Sequence, residues 1–405
     1  MNTDNLSALA VGIAVVALIA GFGVYFNSPG LNRASAGDGI VGGEGETGGF
    51  VPAVVAGGSD GSSNNATAAA TVTLKEIDKS QFRRAPELAG ISNYINSEKG
   101  PFRLADLKGK VVLVDFWTYS CINCIRTIPY LNAWHEKYAG DGLVIVGVHT
   151  PEFDFEKDPG NVRAAVDKFG IKYPVVQDND RQTWDSYQNR YWPRKYLIDD
   201  EGYIRYDHIG EGGYAATEKV IKSLLQERAA RLGQSVSIDP STVKPDAQSV
   251  DFGRINTPEL YFGYQYARQP LGNPEGFRPG QVVEYSISDK ASVAPNTIYL
   301  SGKWLNNADS MELKSGTGRI VLEYSARSVN IVAGGSGELR VSVDGKPLGS
   351  VARGADVGGE EGVARVDGQR LYNLVSHKSY GDHRLVIDIL GGEGKGFQVY
   401  TFTFG

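Results

Sequence analysis

A Cys-x-x-Cys pair between an apolar strand and the start of a helix constrains this chain more than any other feature. Cys121 and Cys124 are the only cysteines among 405 residues, and they follow the apolar run 111–117. The first turn of a helix carries free N–H groups and the positive end of the helix dipole, which favour a thiolate over a thiol. The pattern predicts reversible dithiol–disulfide chemistry, with Cys121 attacking and Cys124 resolving.

Two other interpretations of the cysteine pair are a zinc site and a structural disulfide. A zinc site needs about four Cys or His ligands, and the five histidines are scattered along the chain. A disulfide that closes so short a loop removes little entropy from the unfolded chain. We therefore predict no metal and no organic cofactor. The absence of other cysteines is typical of an oxidising compartment, where stray thiols mispair.

The N-terminal region predicts a membrane anchor followed by a tether. Residues 8–26 carry no charge and are just long enough to span a bilayer as a helix. A cleaved signal peptide is the alternative, since residues 34–36 read Ala-Ser-Ala, although no Lys or Arg precedes the apolar stretch. Residues 27–71 are rich in Gly, Ala and Ser and predict a flexible linker.

Residues 72–232 alternate between strand and helix patterns. Buried strands are expected at 111–116 and 143–148, and a hairpin at 195–199 and 204–208. The helix after the cysteines places apolar side chains three or four residues apart, at Ile125, Ile128, Leu131, Trp134 and Tyr138. Strands that alternate with helices and end in a hairpin indicate a mixed α/β sheet.

The character of the chain changes after a second linker at residues 233–250. Residues 251–405 show short alternating strands separated by Gly-rich turns, for example 339–343, 384–390 and 398–404. This spacing predicts an all-β sandwich of the jelly-roll type. The net charge of −6 gives no electrostatic reason to expect nucleic acid as a partner.

Several short motifs carry a family resemblance. The stretches 117–124 (Trp-Thr-Tyr-Ser-Cys-Ile-Asn-Cys), 149–153 (His-Thr-Pro-Glu-Phe), 191–193 (Tyr-Trp-Pro) and 257–264 (Thr-Pro-Glu-Leu-Tyr-Phe-Gly-Tyr) resemble the soluble part of DipZ-type, membrane-tethered thiol-disulfide oxidoreductases. The resemblance implies a thioredoxin-like domain followed by a carbohydrate-binding-module-like sandwich, both extracytoplasmic. DipZ-type proteins also carry a multi-span electron-delivering domain. This chain has one candidate span, so the resemblance implies a separate membrane electron donor or acceptor.

The resemblance also implies roles for residues near the cysteines. Pro193 matches the cis-proline that faces the disulfide and presents the backbone of Trp192, although an ordinary turn proline is the alternative. Asp115 matches a buried acid of raised pKa that moves a proton to or from Cys124; its alternative is a partly exposed residue at a strand end. His149 is either a ligand, a proton shuttle or a structural side chain.

Aromatic and acidic residues near the motif complete the predicted site. Trp117, Tyr119 and Trp192 are expected to form an apolar surface where substrate proteins dock, or else to belong to the core. Glu152 and Glu156 are expected to tune the charge around the thiols, or else to lie in a solvated loop.

The sequence therefore predicts a membrane-anchored, extracytoplasmic oxidoreductase that exchanges disulfides with cysteine-containing client proteins. One alternative is a cell-surface scaffold that binds glycan or protein through the β-sandwich and keeps a structural disulfide. Another is a thiol peroxidase, since peroxiredoxins share the thioredoxin fold. Glycan is a possible partner of the sandwich, whose aromatic residues equally suit its core.

Overall fold

The computed structural model describes residues 77–287, 292–349, 352–391 and 396–405. The predicted anchor at 8–26 and the linker at 27–71 lie outside these residues. In the part of the chain that is described, no helix combines the length and the apolar character needed to cross a membrane.

A six-stranded mixed sheet forms the centre of the first domain, with the strand order β1-β4-β3-β2-β5-β6. Its strands are β1 (Asn93–Ile95), β2 (Val111–Trp117), β3 (Leu143–His149), β4 (Val175–Gln177), β5 (Arg194–Ile198) and β6 (Ile204–Ile209). β2 runs parallel to β3 and antiparallel to β5. Alternate residues of β2 enter two separate apolar clusters. Both faces of this strand are therefore covered, which explains its unbroken apolar sequence.

Four α-helices accompany the first sheet: α1 (Ile122–Tyr138), α2 (Pro159–Lys168), α3 (Gln182–Ser186) and α4 (Tyr214–Arg231). Short 3₁₀ helices span Leu104–Leu107 and Asp154–Lys157. α1 begins directly after Cys121, and α2 is capped by the Asp158 carboxylate, which accepts from the amides of Gly160 and Asn161. The predicted order of strand, cysteine pair and helix is confirmed. So is the predicted hairpin, because β5 pairs antiparallel with β6.

An eleven-stranded antiparallel sheet system forms the second domain, after a 3₁₀ helix at Phe252–Arg254. Its strands are β7 (Leu260–Tyr261), β8 (Val282–Tyr285), β9 (Tyr299–Asn306), β10 (Met311–Leu313), β11 (Thr317–Gly334), β12 (Gly337–Val343), β13 (Lys346–Pro347), β14 (Val357–Gly358), β15 (Val363–Val366), β16 (Arg370–Gly391) and β17 (Gln398–Phe404). A large buried apolar cluster fills it. The expected β-rich second half is confirmed.

Two strands of this domain are much longer than the sequence pattern suggests. The strand expected at 384–390 is the last part of β16, which has 22 residues and pairs with the 18 residues of β11. β11 pairs with β9 through its first part and with β17 through its last part, with register shifts between these parts. A bulge bends a strand and increases its twist. One long strand can therefore change its pairing partner along its length, where the sequence analysis expects only a short strand at 384–390.

The two domains share an apolar junction. Residues 234–250 contain no helix or strand, but Val243 packs on the core of the first domain and its amide donates to the Glu218 carboxylate, 2.9 Å away. Tyr400 of β17 belongs to the same buried cluster, and its ring centroid lies 4.7 Å from that of Phe155. The second domain is thus packed directly behind the loops that follow β2 and β3.

Candidate active site

The two cysteines occupy different environments at the start of α1. Cys121 is half-exposed and occupies the N-cap position, where its Sγ accepts a hydrogen bond from the Cys124 amide across 3.3 Å. Cys124 is buried one turn into the helix, and both are free thiols. Burial, together with the neighbouring Cys121, raises the pKa of the Cys124 thiol well above its usual range. One thiol is therefore accessible while the second is held behind it as a neutral group.

The loop before β5 faces the accessible thiol. The Trp192–Pro193 peptide bond is cis, as the family resemblance implies. The Cys121 thiol points at the Trp192 carbonyl, with 3.9 Å between sulfur and oxygen. Backbone groups of this loop thus lie beside the exposed sulfur, where a substrate strand can reach both.

Of the three aromatic residues predicted to dock substrates, only Trp192 remains partly accessible. Its indole nitrogen donates to the Thr150 carbonyl across 3.0 Å, and its ring packs against Trp184 and the Arg181 guanidinium. The prediction is wrong for Trp117, which is 1 % exposed, and for Tyr119, which is 5 % exposed. Their rings pack in the core around β2.

The second domain contributes to the burial of Tyr119, together with the rings of His149 and Phe155. The Tyr119 hydroxyl donates to the Gln369 carbonyl, 3.3 Å away in the second domain. The chain segment just before Cys121 is therefore covered by the second domain.

Asp115 is a buried acid within the sheet. It is 2 % exposed, and its Oδ1 has no hydrogen-bond partner among the described residues. Burial raises the pKa of Asp115 to about 7, against the opposing attraction of Lys195. Its charge also acts on the Cys124 thiol, whose pKa it helps to raise. The chemistry of such a carboxyl suits proton exchange with Cys124 near neutral pH.

Lys195 is a site residue that the sequence analysis missed. It pairs directly with Asp115 across β2 and β5, is fully buried, and donates from Nζ to the Gly210 carbonyl across 3.0 Å. Burial lowers the pKa of this ammonium, while the charges of Asp115 and Cys124 oppose that shift. The one available signal was a lysine in a hairpin strand, two residues after Pro193. A lysine at that position is equally typical of the solvent-exposed face of a strand.

Glu156 connects the loop after β3 to the cysteine motif. It is fully buried, and its carboxylate accepts from the Ser120 hydroxyl at 2.6 Å and from the amides of Glu152 and Phe153 at 2.6 and 3.0 Å. Burial raises its pKa, while these hydrogen bonds counteract the shift. Glu156 thus holds the residue that directly precedes Cys121, and the solvated-loop alternative does not apply to it. Its effect on the thiols stays a prediction.

Glu152 lies at the domain junction. Its carboxyl and that of Glu259 lie 2.7 and 3.1 Å from the Tyr261 hydroxyl, which has one proton to donate. Burial and the charge of Glu259 raise the pKa of Glu152 to about 8. A protonated Glu152 satisfies this arrangement at neutral pH, and its predicted tuning of the thiols stays a prediction.

His149 is a buried side chain at the end of β3. Its ring stacks with Tyr119 and meets Trp117 edge-on, and Nε2 lies 3.4 Å from the Thr118 hydroxyl. Burial lowers the pKa of His149 to about 3, so the imidazole is neutral at physiological pH. These contacts favour the structural interpretation. Among the residues that the structure describes, no group of three or more His, Cys, Asp or Glu side chains is arranged to hold a metal ion.

A Cys-x-x-Cys pair at a helix start, opposite a cis-proline loop on a mixed sheet, defines the first domain as thioredoxin-like. Residues 83–207 match the AhpC/TSA family, and residues 257–405 match the thioredoxin-like C-terminal domain family. Thiol-disulfide oxidoreductase YkuV of Bacillus subtilis is 32% identical over 142 residues, which cover 35% of this chain and 94% of YkuV. The chain therefore belongs to the thioredoxin-like thiol-disulfide oxidoreductase family.

A longer match extends into the second domain. Protein DipZ of Mycobacterium bovis is 37% identical over 323 residues, which cover 79% of this chain but 43% of DipZ. The chain thus spans less than half the length of that relative. A thiol-disulfide isomerase from Corynebacterium glutamicum, known as a crystal structure, is 27% identical and aligns with 35% of this chain and 96% of its own, with a TM-score of 0.32.

Proposed function

We propose that this protein exchanges disulfides with client proteins through Cys121 and Cys124. The observation that carries the proposal is the asymmetry of the pair. Cys121 is accessible, accepts an amide hydrogen bond and lies beside the Trp192 carbonyl, whereas Cys124 is buried directly behind it. An exposed attacking thiol and a shielded resolving thiol are what a mixed-disulfide mechanism requires.

In the reducing direction, the Cys121 thiolate attacks one sulfur of a client disulfide. The client S–S bond breaks, a Cys121–client disulfide forms, and the departing client sulfur takes up a proton. Cys124 then loses its proton, attacks the Cys121 sulfur and displaces the second client thiolate. Two electrons pass to the client, and a Cys121–Cys124 disulfide remains. The same steps in reverse oxidise a client dithiol. In either direction, a separate electron donor or acceptor must return the cysteine pair to its starting redox state.

Asp115 is the proposed proton acceptor for Cys124. Its pKa of about 7 means that about half of the molecules carry a carboxylate at neutral pH. A proton that moves from Cys124 to Asp115 generates the resolving thiolate inside the protein. Lys195 stabilises the carboxylate form through its charge. No metal or organic cofactor enters these steps.

We further propose that the protein is held by residues 8–26 at a membrane, with both domains extracytoplasmic. The basis is the uncharged N-terminal stretch, the resemblance to DipZ-type proteins and the absence of further cysteines. We propose that the second domain is a carbohydrate-binding-module-like jelly-roll sandwich. Its role as a brace for the first domain is supported better than glycan binding, because aromatic residues such as Tyr261, Phe262, Trp304 and Tyr372 are buried.

Trapping of mixed disulfides tests the exchange mechanism. The full-length Cys124→Ser variant should accumulate adducts with cellular proteins that survive acid quenching and disappear on reduction, because the resolving thiol is missing. The Cys121→Ser variant, expressed at the same level, is the matched control and should form none, because Cys124 is buried. Equal trapping by both variants would contradict the assigned roles. Peroxide consumption by the reduced protein without adduct formation would favour the peroxidase alternative.

A further inference from the structure

Arg126 carries a buried guanidinium in α1, two residues after Cys124. Its Nε lies 2.8 Å from Glu211 Oε2, and its Nη2 donates to Asn123 Oδ1 across 2.7 Å. The two ion-pair side chains are 3 % and 6 % exposed. Asn123 is one of the two residues between the cysteines, so Arg126 holds the motif itself as well as a loop carboxylate.

The second domain covers the remaining nitrogen of Arg126. Nη1 is buried and has no hydrogen-bond partner among the described residues. A methyl group added at Gly405 would lie 2.9 Å from it. Burial raises the pKa of Glu259, also in the second domain, and the charge of Arg126 opposes that shift. The guanidinium therefore forms an ion pair with an acid of the first domain and interacts electrostatically with an acid of the second.

We propose that Arg126 is a positioning residue that sets the redox equilibrium of the cysteine pair. Glu211 of the first domain and Glu259 of the second each offset part of its positive charge. This inference rests on the proposed exchange function. A fixed positive charge beside a dithiol–disulfide pair favours the form of the pair that can carry negative charge, which is the reduced form. Arg126 thus favours the dithiol, and each acid that offsets its charge favours the disulfide.

Helix geometry limits the size of the effect. Residues five apart in a helix are separated by roughly 7.5 Å along its axis. A unit charge at about that distance changes the equilibrium constant by about threefold when water screens it. At the effective dielectric constant of a protein surface the change is about fortyfold. An effect of about tenfold is therefore expected for Arg126→Met.

The direction of the change separates this role from a structural one. Removing either partner of a buried ion pair destabilises the fold. A purely structural role would therefore give Arg126→Met and Glu211→Gln the same effect on the redox equilibrium. The proposal requires opposite effects. Losing the cation shifts the pair toward the disulfide, and losing the Glu211 charge shifts it toward the dithiol.

The test is the equilibrium constant of the full-length protein with reduced and oxidised glutathione, measured by trapping the free thiols. Relative to the wild type, Arg126→Met should favour the disulfide about tenfold, whereas Glu211→Gln should favour the dithiol. Glu259→Gln should favour the dithiol by a smaller factor. Arg126→Lys keeps the charge and should stay within about threefold of the wild type.

Arg205 offers a matched control. Its guanidinium is also 3 % exposed and pairs with Asp199 and Glu227, but Asp199 follows β5 at the end of the sheet away from the cysteines. Arg205→Met should lower stability and leave the equilibrium constant unchanged.

Each outcome decides a separate claim. Shifts in the same direction for Arg126→Met and Glu211→Gln, or no shift in either, would overturn the role of Arg126. If Arg126→Met does not fold, the direction of the shift in Glu211→Gln decides alone. If Glu259→Gln leaves the equilibrium constant unchanged, the second domain has no part in setting the redox equilibrium. A wild-type pair that never equilibrates with glutathione would refute the proposed function itself, and the inference would fall with it.

Discussion

Replacing Asp115 with Asn should stabilise the first domain, and the gain should grow with pH. The carboxyl is buried and its pKa is raised from 3.8 to about 7 by burial. The folded state therefore binds more protons than the unfolded state between about pH 4 and pH 7. Stability falls as pH rises through that window in the wild type. Asparagine carries no charge at any of these pH values and avoids the loss.

The magnitude follows from the two pKa values. A shift of that size destabilises the wild type by about 4 kcal/mol at pH 8 and by about 2 kcal/mol at pH 5, since one pKa unit is worth about 1.4 kcal/mol. The variant should therefore gain about 2–3 kcal/mol relative to the wild type between pH 5 and pH 8. Asparagine also leaves Lys195 without its counter-charge. The attraction between Lys195 and the ionised Asp115 is already included in the pKa of about 7, so it does not reduce the expected difference.

Urea unfolding of the reduced, full-length protein at pH 5 and pH 8 measures this difference. Four of the five tryptophans lie in the first domain, at positions 117, 134, 184 and 192, so intrinsic fluorescence reports mainly on its unfolding. Asp167→Asn, on the exposed side of α2, is the control and should show no pH-dependent gain. A gain for Asp115→Asn that is equal at both pH values would refute the assignment of a raised pKa to this carboxyl.

Three further predictions concern other residues. His149→Gln should leave the pH profile of disulfide exchange unchanged between pH 5 and pH 9, because the pKa of His149 is lowered to about 3; loss of an inflection near neutrality would contradict this. Lys195→Met should move the inflection for mixed-disulfide resolution to higher pH, because Lys195 lowers the pKa of Asp115; a profile that stays in place or moves down would count against the pairing. Phe155→Ala should cost about 3–5 kcal/mol, because the ring is buried against Tyr400 at the domain junction. Chemical denaturation measures that cost, which should be accompanied by faster proteolysis within 233–250; a loss below about 1 kcal/mol would argue against a tightly packed junction.

The sequence alone determined the local architecture of the first domain and the chemistry at its centre. The apolar run before Cys121, the helical spacing after Cys124 and the hairpin around residues 200–203 are patterns within short windows. Backbone sterics and burial act at that range, so local composition is enough to predict such elements. The cis-proline and the buried acid came from the family resemblance, since neither a single proline nor a single aspartate carries that signal.

Only the tertiary structure decided which side chains meet. Tyr119 packs on the rings of His149 and Phe155, and its hydroxyl reaches Gln369, 250 residues away along the chain. Arg126 contacts Glu211 across 85 residues, and Lys195 meets Asp115 through the pairing of β5 with β2. An aromatic residue near a cysteine motif has the same local pattern whether it faces solvent or a second domain. Burial, and with it the shifted pKa values of the site, depends on these long-range contacts, which the periodicity of a single sequence does not encode.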